Sequence, residues 1–342
     1  MLIFSCWYII SALSSFSLKF LIAFQGLLLG VIWAYSFYRK FLTSVYLIDA
    51  LKLLIYTSFL ALVLQFILYN FFNYVDIHSI IFPWSEARYQ ESEGFIRLGG
   101  MYIEPGTLSN WIYALFLLFL LVEDKPDTKL TLATALAMLF SLSAWGVAVS
   151  GIVFIFFILQ YKFIAYEEGR LVFKRRSFIM LIVGIISILL LLSFFITDSI
   201  YSFLESKLLF ETGSGEIRID TYNEFFKTLP DILFFGSGYA SDFCINCKSP
   251  QDAGLFIIFT VVYGLFFSVL FFLLIVLAFF KKYNFKGIIL ILPLLTSKIY
   301  YWDYIVLLIF FSAFYQIFLF SQCSVETKLA YKNFKKNKNQ LL

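Results

Sequence analysis

The sequence predicts an all-α membrane protein, a polytopic helical bundle of about ten transmembrane helices with two large outward loops. Three observations predict it. Hydrophobic types make up 61% of the 342 residues and charged types 14%, against about 45–50% and about 25% in soluble domains. Mean hydropathy is +0.89. Apolar runs of about 20 residues recur, the length a helix rising 1.5 Å per residue needs to cross a hydrocarbon core about 30 Å thick. A soluble globule cannot hide that much apolar surface with so few charges to cover its outside. Composition therefore excludes a soluble enzyme, a nucleic-acid-binding protein and a disordered chain.

Ten apolar runs are expected to span the bilayer, at roughly 2–18, 20–38, 47–71, 106–122, 129–145, 147–164, 177–197, 253–280, 286–301 and 303–321. Only Lys19 and a Ser-rich stretch separate the first two, and a tight turn at Trp145-Gly146 is expected between the fifth and sixth. An even number puts both termini on one side. One set of loops, including the C-terminal tail, holds 18 of the 26 basic residues, and the excess of Lys and Arg marks it as cytoplasmic. The basic tail after Val325 reads as a solvated anchor at the head groups. The first span is expected to serve as its own insertion signal, and residues 1–342 read as a single polytopic domain without repeats. The outward loops run from about 73 to 105 and from about 198 to 252, so function is expected there.

The first loop ends in Arg97-Leu98-Gly99-Gly100-Met101-Tyr102-Ile103-Glu104-Pro105-Gly106. Pro105 suits the first turn of the next helix, where its missing N–H is no loss. The glycines let backbone approach a ligand or another helix. Glu104 then sits at the membrane boundary, beside the positive end of the helix dipole. His78, the one histidine, falls outside this pattern and reads as incidental.

The second loop carries an amphipathic helix from about Arg218 to Pro230, with Ile217, Thr221, Phe225, Phe226 and Leu229 on its apolar side and Arg218 and Tyr222 at the border. By itself Arg218 reads as a snorkelling arginine on an interfacial helix. Phe235-Gly236-Ser237-Gly238-Tyr239 follows, a flexible turn able to offer N–H groups to an anion. Asp252 opens the next span, which contains Tyr263-Gly264, and by itself reads as a helix cap. Cys244 and Cys247, three residues apart, fit either a disulfide or two free thiols, and two cysteines without a neighbouring His fall short of a zinc site.

Taken together these segments resemble the O-antigen polymerase (Wzy-type) family of bacterial inner membranes, relatives of the O-antigen ligases. The resemblance rests on Arg97-x-x-Gly100-x-x-x-Glu104-Pro105-Gly106 before one span, then Arg218 on an amphipathic helix, Gly236-x-Gly238 about 18 residues later, and a span with Tyr263-Gly264 inside. It covers roughly residues 97–111 and 212–264. It implies an inner-membrane enzyme with cytoplasmic termini and a periplasmic active face, acting on oligosaccharide repeat units carried by undecaprenyl diphosphate. A flippase and a chain-length regulator are the implied companions, with no cofactor, no metal and no nucleic acid. Arg97 and Arg218 are then expected to clamp the leaving diphosphate, since Arg keeps its proton and forks onto phosphate oxygens. Glu104 or Asp252 is expected to take the proton of the acceptor hydroxyl. Related ligases carry a histidine near the position matched to Asp252, so either carboxylate stays open as base. Gly100, Gly236 and Gly238 are expected to bring backbone to the substrate, and Tyr102, Tyr222 and Tyr239 to stack on sugar faces. Trp84 could stack likewise, and Lys298, Tyr301, Trp302 and Asp303 form the last outer turn. The alternatives are an O-antigen ligase, against which the missing histidine weighs, and a polysaccharide flippase or other transporter. A transporter should carry ionisable groups deep in several spans, whereas here the charges collect at the outer mouth.

Overall fold

The computed structural model describes residues 44–72, 77–82, 91–92, 95–123, 127–160, 164–167, 170–173, 213–234, 236, 253–299 and 303–319, with isolated positions at 28 and 32. Their architecture is helical. In chain order the helices are α1 (Ser44–Phe72), α2 (Ile77–Ile81), α3 (Pro105–Val122), α4 (Thr128–Phe140), α5 (Ala144–Gln160), α6 (Gly213–Thr228), α7 (Leu255–Tyr263), α8 (Leu265–Tyr283), α9 (Phe285–Leu295) and α10 (Tyr304–Phe314). Two small antiparallel hairpins not anticipated from the sequence lie between them. β1 (Glu91–Ser92) pairs with β2 (Phe95–Ile96), and β3 (Ile164–Glu167) pairs with β4 (Arg170–Phe173), Ile164 opposite Phe173.

Among the described residues three helices are long and apolar enough to cross a membrane: residues 46–72 of α1, α3 and α8. Helices α4, α5, α9 and residues 304–317 are apolar but shorter. The expected ten spans of about 20 residues are therefore not matched one for one. The expected segments 2–18 and 177–197, most of 20–38, and the basic tail lie outside the described residues.

Helix α3 is the centre of the bundle. Nearly every side chain from Leu108 to Leu121 is buried, as expected of a helix that is apolar all round. It packs on α1, α4 and α10, while α8 packs on α9 and α10 and α5 packs on α4 and α9. In lipid such packing is driven by close contact rather than by escape from water. Phe271 stacks on Phe310 with ring centroids 4.4 Å apart. Gly287 lets α9 press on α8, where an added Cβ would lie 2.4 Å from the Phe279 carbonyl oxygen.

One end of the bundle is basic. Helix C-termini leave carbonyls without intrahelical partners, and cations suit the dipole there. Lys282 Nζ donates to the carbonyls of Leu121 (3.0 Å) and Glu123 (2.6 Å), and Lys286 Nζ to that of Leu159 (2.7 Å). Lys281 Nζ donates to the Gln316 carbonyl at 3.1 Å. Lys52 pairs with Asp127 at 3.4 Å, and Asp127 caps α4 by accepting from the Lys129 and Leu130 amides.

Two turns differ from expectation. The α4–α5 turn lies at Ser141–Ser143, ahead of Trp145-Gly146, with Leu142 at φ 51°. Ser143 starts α5 because its Oγ accepts the Gly146 N–H at 2.9 Å and its carbonyl the Val147 N–H at 2.8 Å, the hydroxyl acting as an N-cap. The expected span 253–280 is broken at Gly264, whose φ of 93° and ψ of 156° end α7 and begin α8.

Candidate functional site

The Arg97–Glu104 segment folds as an irregular loop seated on α1. Gly100 takes φ 60°, a left-handed conformation that glycine adopts without strain. Its N–H donates to Gln65 Oε1 at 2.6 Å, and an added Cβ would stand 3.2 Å from the Leu62 nitrogen. The Met101 carbonyl lies 2.8 Å from His78 Nδ1 on α2. A carbonyl only accepts, so Nδ1 carries the hydrogen. The Tyr102 N–H donates to the Gly99 carbonyl at 2.9 Å, and its hydroxyl lies 3.3 Å from Ser58 Oγ on α1. Tyr102 therefore packs against α1 and the core, where burial raises the pKa of its phenol against the opposing hydrogen bond to Ser58.

Glu104 is the N-cap of α3, extended at φ −153° and ψ 157°, with Pro105 following as predicted. Its side chain does not cap the helix but accepts from Thr107 Oγ1 at 3.2 Å. Arg97 is half-buried. Burial pulls its pKa below the ordinary arginine value and the charge of Glu104 opposes that shift; a guanidinium stays protonated through such changes. The loop thus holds a fixed cation and a carboxylate in electrostatic contact at the start of the central helix.

The second motif gathers on the broken helix. Tyr222 on α6 donates its hydroxyl to the Ala253 carbonyl at 3.0 Å. Phe225 and Ile232 pack with Ala253, Ile257 and Val261 in a second apolar cluster bordered by Tyr222 and Leu229. The apolar face expected on α6 is corrected at Phe226, which is 65% exposed while Thr221 is fully buried. Helix α6 thus docks on α7 as well as presenting an apolar edge outward. The residues that follow seat on the break. The Phe266 N–H donates to the Leu233 carbonyl at 2.9 Å, filling a partner that the first turn of α8 lacks. A Cβ on Gly236 would lie 2.3 Å from the Val262 carbonyl carbon.

Close packing and polar contacts bring the two motifs to the end of the bundle opposite the lysines. Gly254 presses on the end of α9, where a Cβ would meet Thr296 Cα at 2.8 Å. Trp145 Nε1 donates to Thr296 Oγ1 at 3.1 Å. Ser109 Oγ on α3 lies 2.8 Å from Ser141 Oγ and 2.9 Å from Ser143 Oγ. Asn110 Oδ1 accepts the Lys298 N–H at 3.1 Å, and its Nδ2 donates to the Gly106 carbonyl at 2.7 Å. Arg97, Glu104, Gly106, Lys298, Thr296, Gly254 and Tyr222 therefore belong to one continuous end of the fold.

The backbone of Arg218 lies in α6, and its side chain is outside the described residues. Gly238, Tyr239 and Asp252 also lie outside them, as do Trp84, Tyr301, Trp302, Cys244 and Cys247. His78, read as incidental, is buried against the motif loop, its ring centroid 5.2 Å from that of Phe82 and its plane tilted by 42°. Gln65 was not singled out. The signal for it was a side-chain amide well inside the apolar run of α1, a placement that marks a buried partner.

Comparison with family models, with curated proteins and with solved structures finds no match, so the chemistry of this end of the bundle is read from its own residues.

Proposed function

We propose that the chain is an O-antigen (surface-polysaccharide) polymerase of the Wzy type, a membrane glycosyltransferase of the bacterial inner membrane acting at its periplasmic face. The observation that carries the reading is that the first turns of α3, directly after the Arg97–Glu104 loop, and the Ala253–Gly254 turn that holds Tyr222, more than a hundred residues apart, both reach the segment Thr296–Lys298 at one end of the bundle: Asn110 bonds the Gly106 carbonyl and the Lys298 amide, and Gly254 lies against Thr296. The opposite end carries Lys52, Lys281, Lys282 and Lys286, which supports the cytoplasmic assignment of that side and cytoplasmic termini.

In the reaction, the acceptor sugar hydroxyl attacks the anomeric carbon of the growing chain. The bond from that carbon to the diphosphate oxygen breaks, and undecaprenyl diphosphate leaves with the electron pair. The hydroxyl proton passes to Glu104 or Asp252. Arg97, with Arg218 from α6, stabilises the charge gathering on the leaving diphosphate without a metal. Loss of one such contact costs about 2.7–4 kcal/mol of barrier.

Complementation of a deletion strain tests this. Arg97→Ala or Arg218→Ala, at normal membrane abundance, should leave single repeat units on the lipid A core in place of a ladder. A ladder of normal length removes the arginine clamp. Accumulation of long chains still on their carrier would indicate a ligase, and accumulation of repeat units on the cytoplasmic face a flippase.

A further inference from the structure

The loop that bears Arg97 sits deep against α1. It contacts Ala61, Leu62 and Gln65, seven to eleven residues before α1 ends at Phe72, or about 10–16 Å along the helix at 1.5 Å per residue. Irregular backbone at such depth needs every polar group satisfied by protein. Two side chains from outside the loop do this at adjacent residues: Gln65 of α1 accepts from the Gly100 N–H, and His78 of α2 meets the Met101 carbonyl. Both are buried, Gln65 completely. They grip the segment from two different elements at its one left-handed turn, with Arg97 three residues before Gly100 and Glu104 three after Met101.

We propose that Gln65 and His78 are positioning residues, a two-sided clamp on the Gly100–Met101 turn that fixes Arg97 and Glu104 relative to each other for attack on the lipid-linked diphosphate. This rests on the polymerase reading and adds to it the groups that set its geometry. The clamp uses one hydrogen-bonding role of each residue. His78 must donate at Nδ1, which the side-chain amide of asparagine can imitate. Gln65 must accept, which methionine of similar length cannot do comparably. Loss of a positioning contact acts on the reacting geometry, where a displacement of about 1 Å costs about 10²-fold in rate.

The experiment uses full-length protein in lipid nanodiscs with undecaprenyl-diphosphate-linked repeat units as substrate. It compares His78→Phe, His78→Asn and Gln65→Met with the unsubstituted chain, at matched amounts of folded protein. His78→Phe and Gln65→Met should lower kcat by about tenfold or more with KM nearly unchanged, and His78→Asn should recover most of kcat. Amide hydrogen exchange over residues 97–104 should quicken in His78→Phe and Gln65→Met but stay slow in His78→Asn. Normal kcat in Gln65→Met, or His78→Asn as impaired as His78→Phe, overturns the proposal. Where His78→Phe fails to accumulate, the other two variants decide. Absence of polymer from the unsubstituted chain sinks the polymerase reading, while unchanged exchange in Gln65→Met sinks the clamp whatever the activity.

Discussion

Gly236→Ala tests how the second motif is seated. The new Cβ would lie 2.3 Å from both the carbon and the oxygen of the Val262 carbonyl and 2.5 Å from the Tyr263 nitrogen. All three are backbone atoms of α7, so no side chain can swing aside. Restoring ordinary contact at about 3.5 Å needs the loop to retreat by about 1.2 Å. The Leu233–Phe266 hydrogen bond, now 2.9 Å, would then stretch to about 4 Å and cease to count as one. Overpacking costs about 1–3 kcal/mol, and an amide left unsatisfied away from water costs about 1–3 kcal/mol. The expected loss is about 2–6 kcal/mol. Gly151→Ala is the control, because nothing lies within 4 Å of its added Cβ in mid-α5; there alanine should gain about 0.5–1 kcal/mol. Unfolding of both variants in mixed micelles, followed by tryptophan fluorescence, measures the difference. A Gly236→Ala protein within 0.5 kcal/mol of the unsubstituted chain, on the scale of about ±0.5 kcal/mol for surface changes, would refute the close seating on the broken helix.

Gly100→Ala should cost about 1–2 kcal/mol from its left-handed backbone, read by the same unfolding measurement. Asp127→Ala should cost about 1 kcal/mol through the lost cap of α4. Lys52→Ala should cost less, because both partners of that pair are about a third exposed and such pairs contribute about 0–1 kcal/mol; added salt should shrink that loss and leave most of the Asp127 effect. Gly146→Ala places a Cβ 2.4 Å from Ser109 Oγ and 2.6 Å from Ser143 Oγ, so it should cost about 1–3 kcal/mol. Ser109→Ala in the same chain should return part of that loss, a non-additivity that a double-mutant cycle reads directly.

Hydropathy was enough to find α1, α3 and α8, because a long apolar run has few other fates. The start of α3 was legible to within a residue: the span was expected from about 106 with Pro105 in its first turn, and the helix begins at Pro105, where proline's missing donor has no partner anyway. The break at Gly264 was not legible as a break: residues on both sides are equally apolar, what ends α7 is the backbone angle at Gly264, and the carbonyl that receives the first turn of α8 comes from Leu233. The α4–α5 turn was misplaced by a few residues because Gly146 looked like the turn, whereas the hydroxyls of Ser141 and Ser143 organise it and Gly146 serves close packing on Ser109. His78 and Gln65 escaped for a different reason. Their partners stand 23 and 35 residues away, beyond any local window, and each bond is to backbone, which carries no sequence identity.

The motif glycines and the motif arginines then divide the work in a way that can be measured. Gly100 approaches Leu62 of α1, and Gly236 approaches Val262 of α7; both let a loop lie on a helix. On the polymerase proposal, contact with the anionic substrate would then fall mainly to side chains, with Arg97 already desolvated in part and balanced by Glu104. Glycine substitutions should lose activity in proportion to lost stability, since they unseat the loops. Arg97→Lys keeps the charge and most of the stem but loses the planar fork that matches two phosphate oxygens. It should retain stability while polymerisation falls, so the two classes should separate on a plot of activity against unfolding free energy. If Arg97→Lys instead fell on the glycine line, Arg97 would be a structural partner of Glu104, and the anion-binding role would have to be carried by other cations.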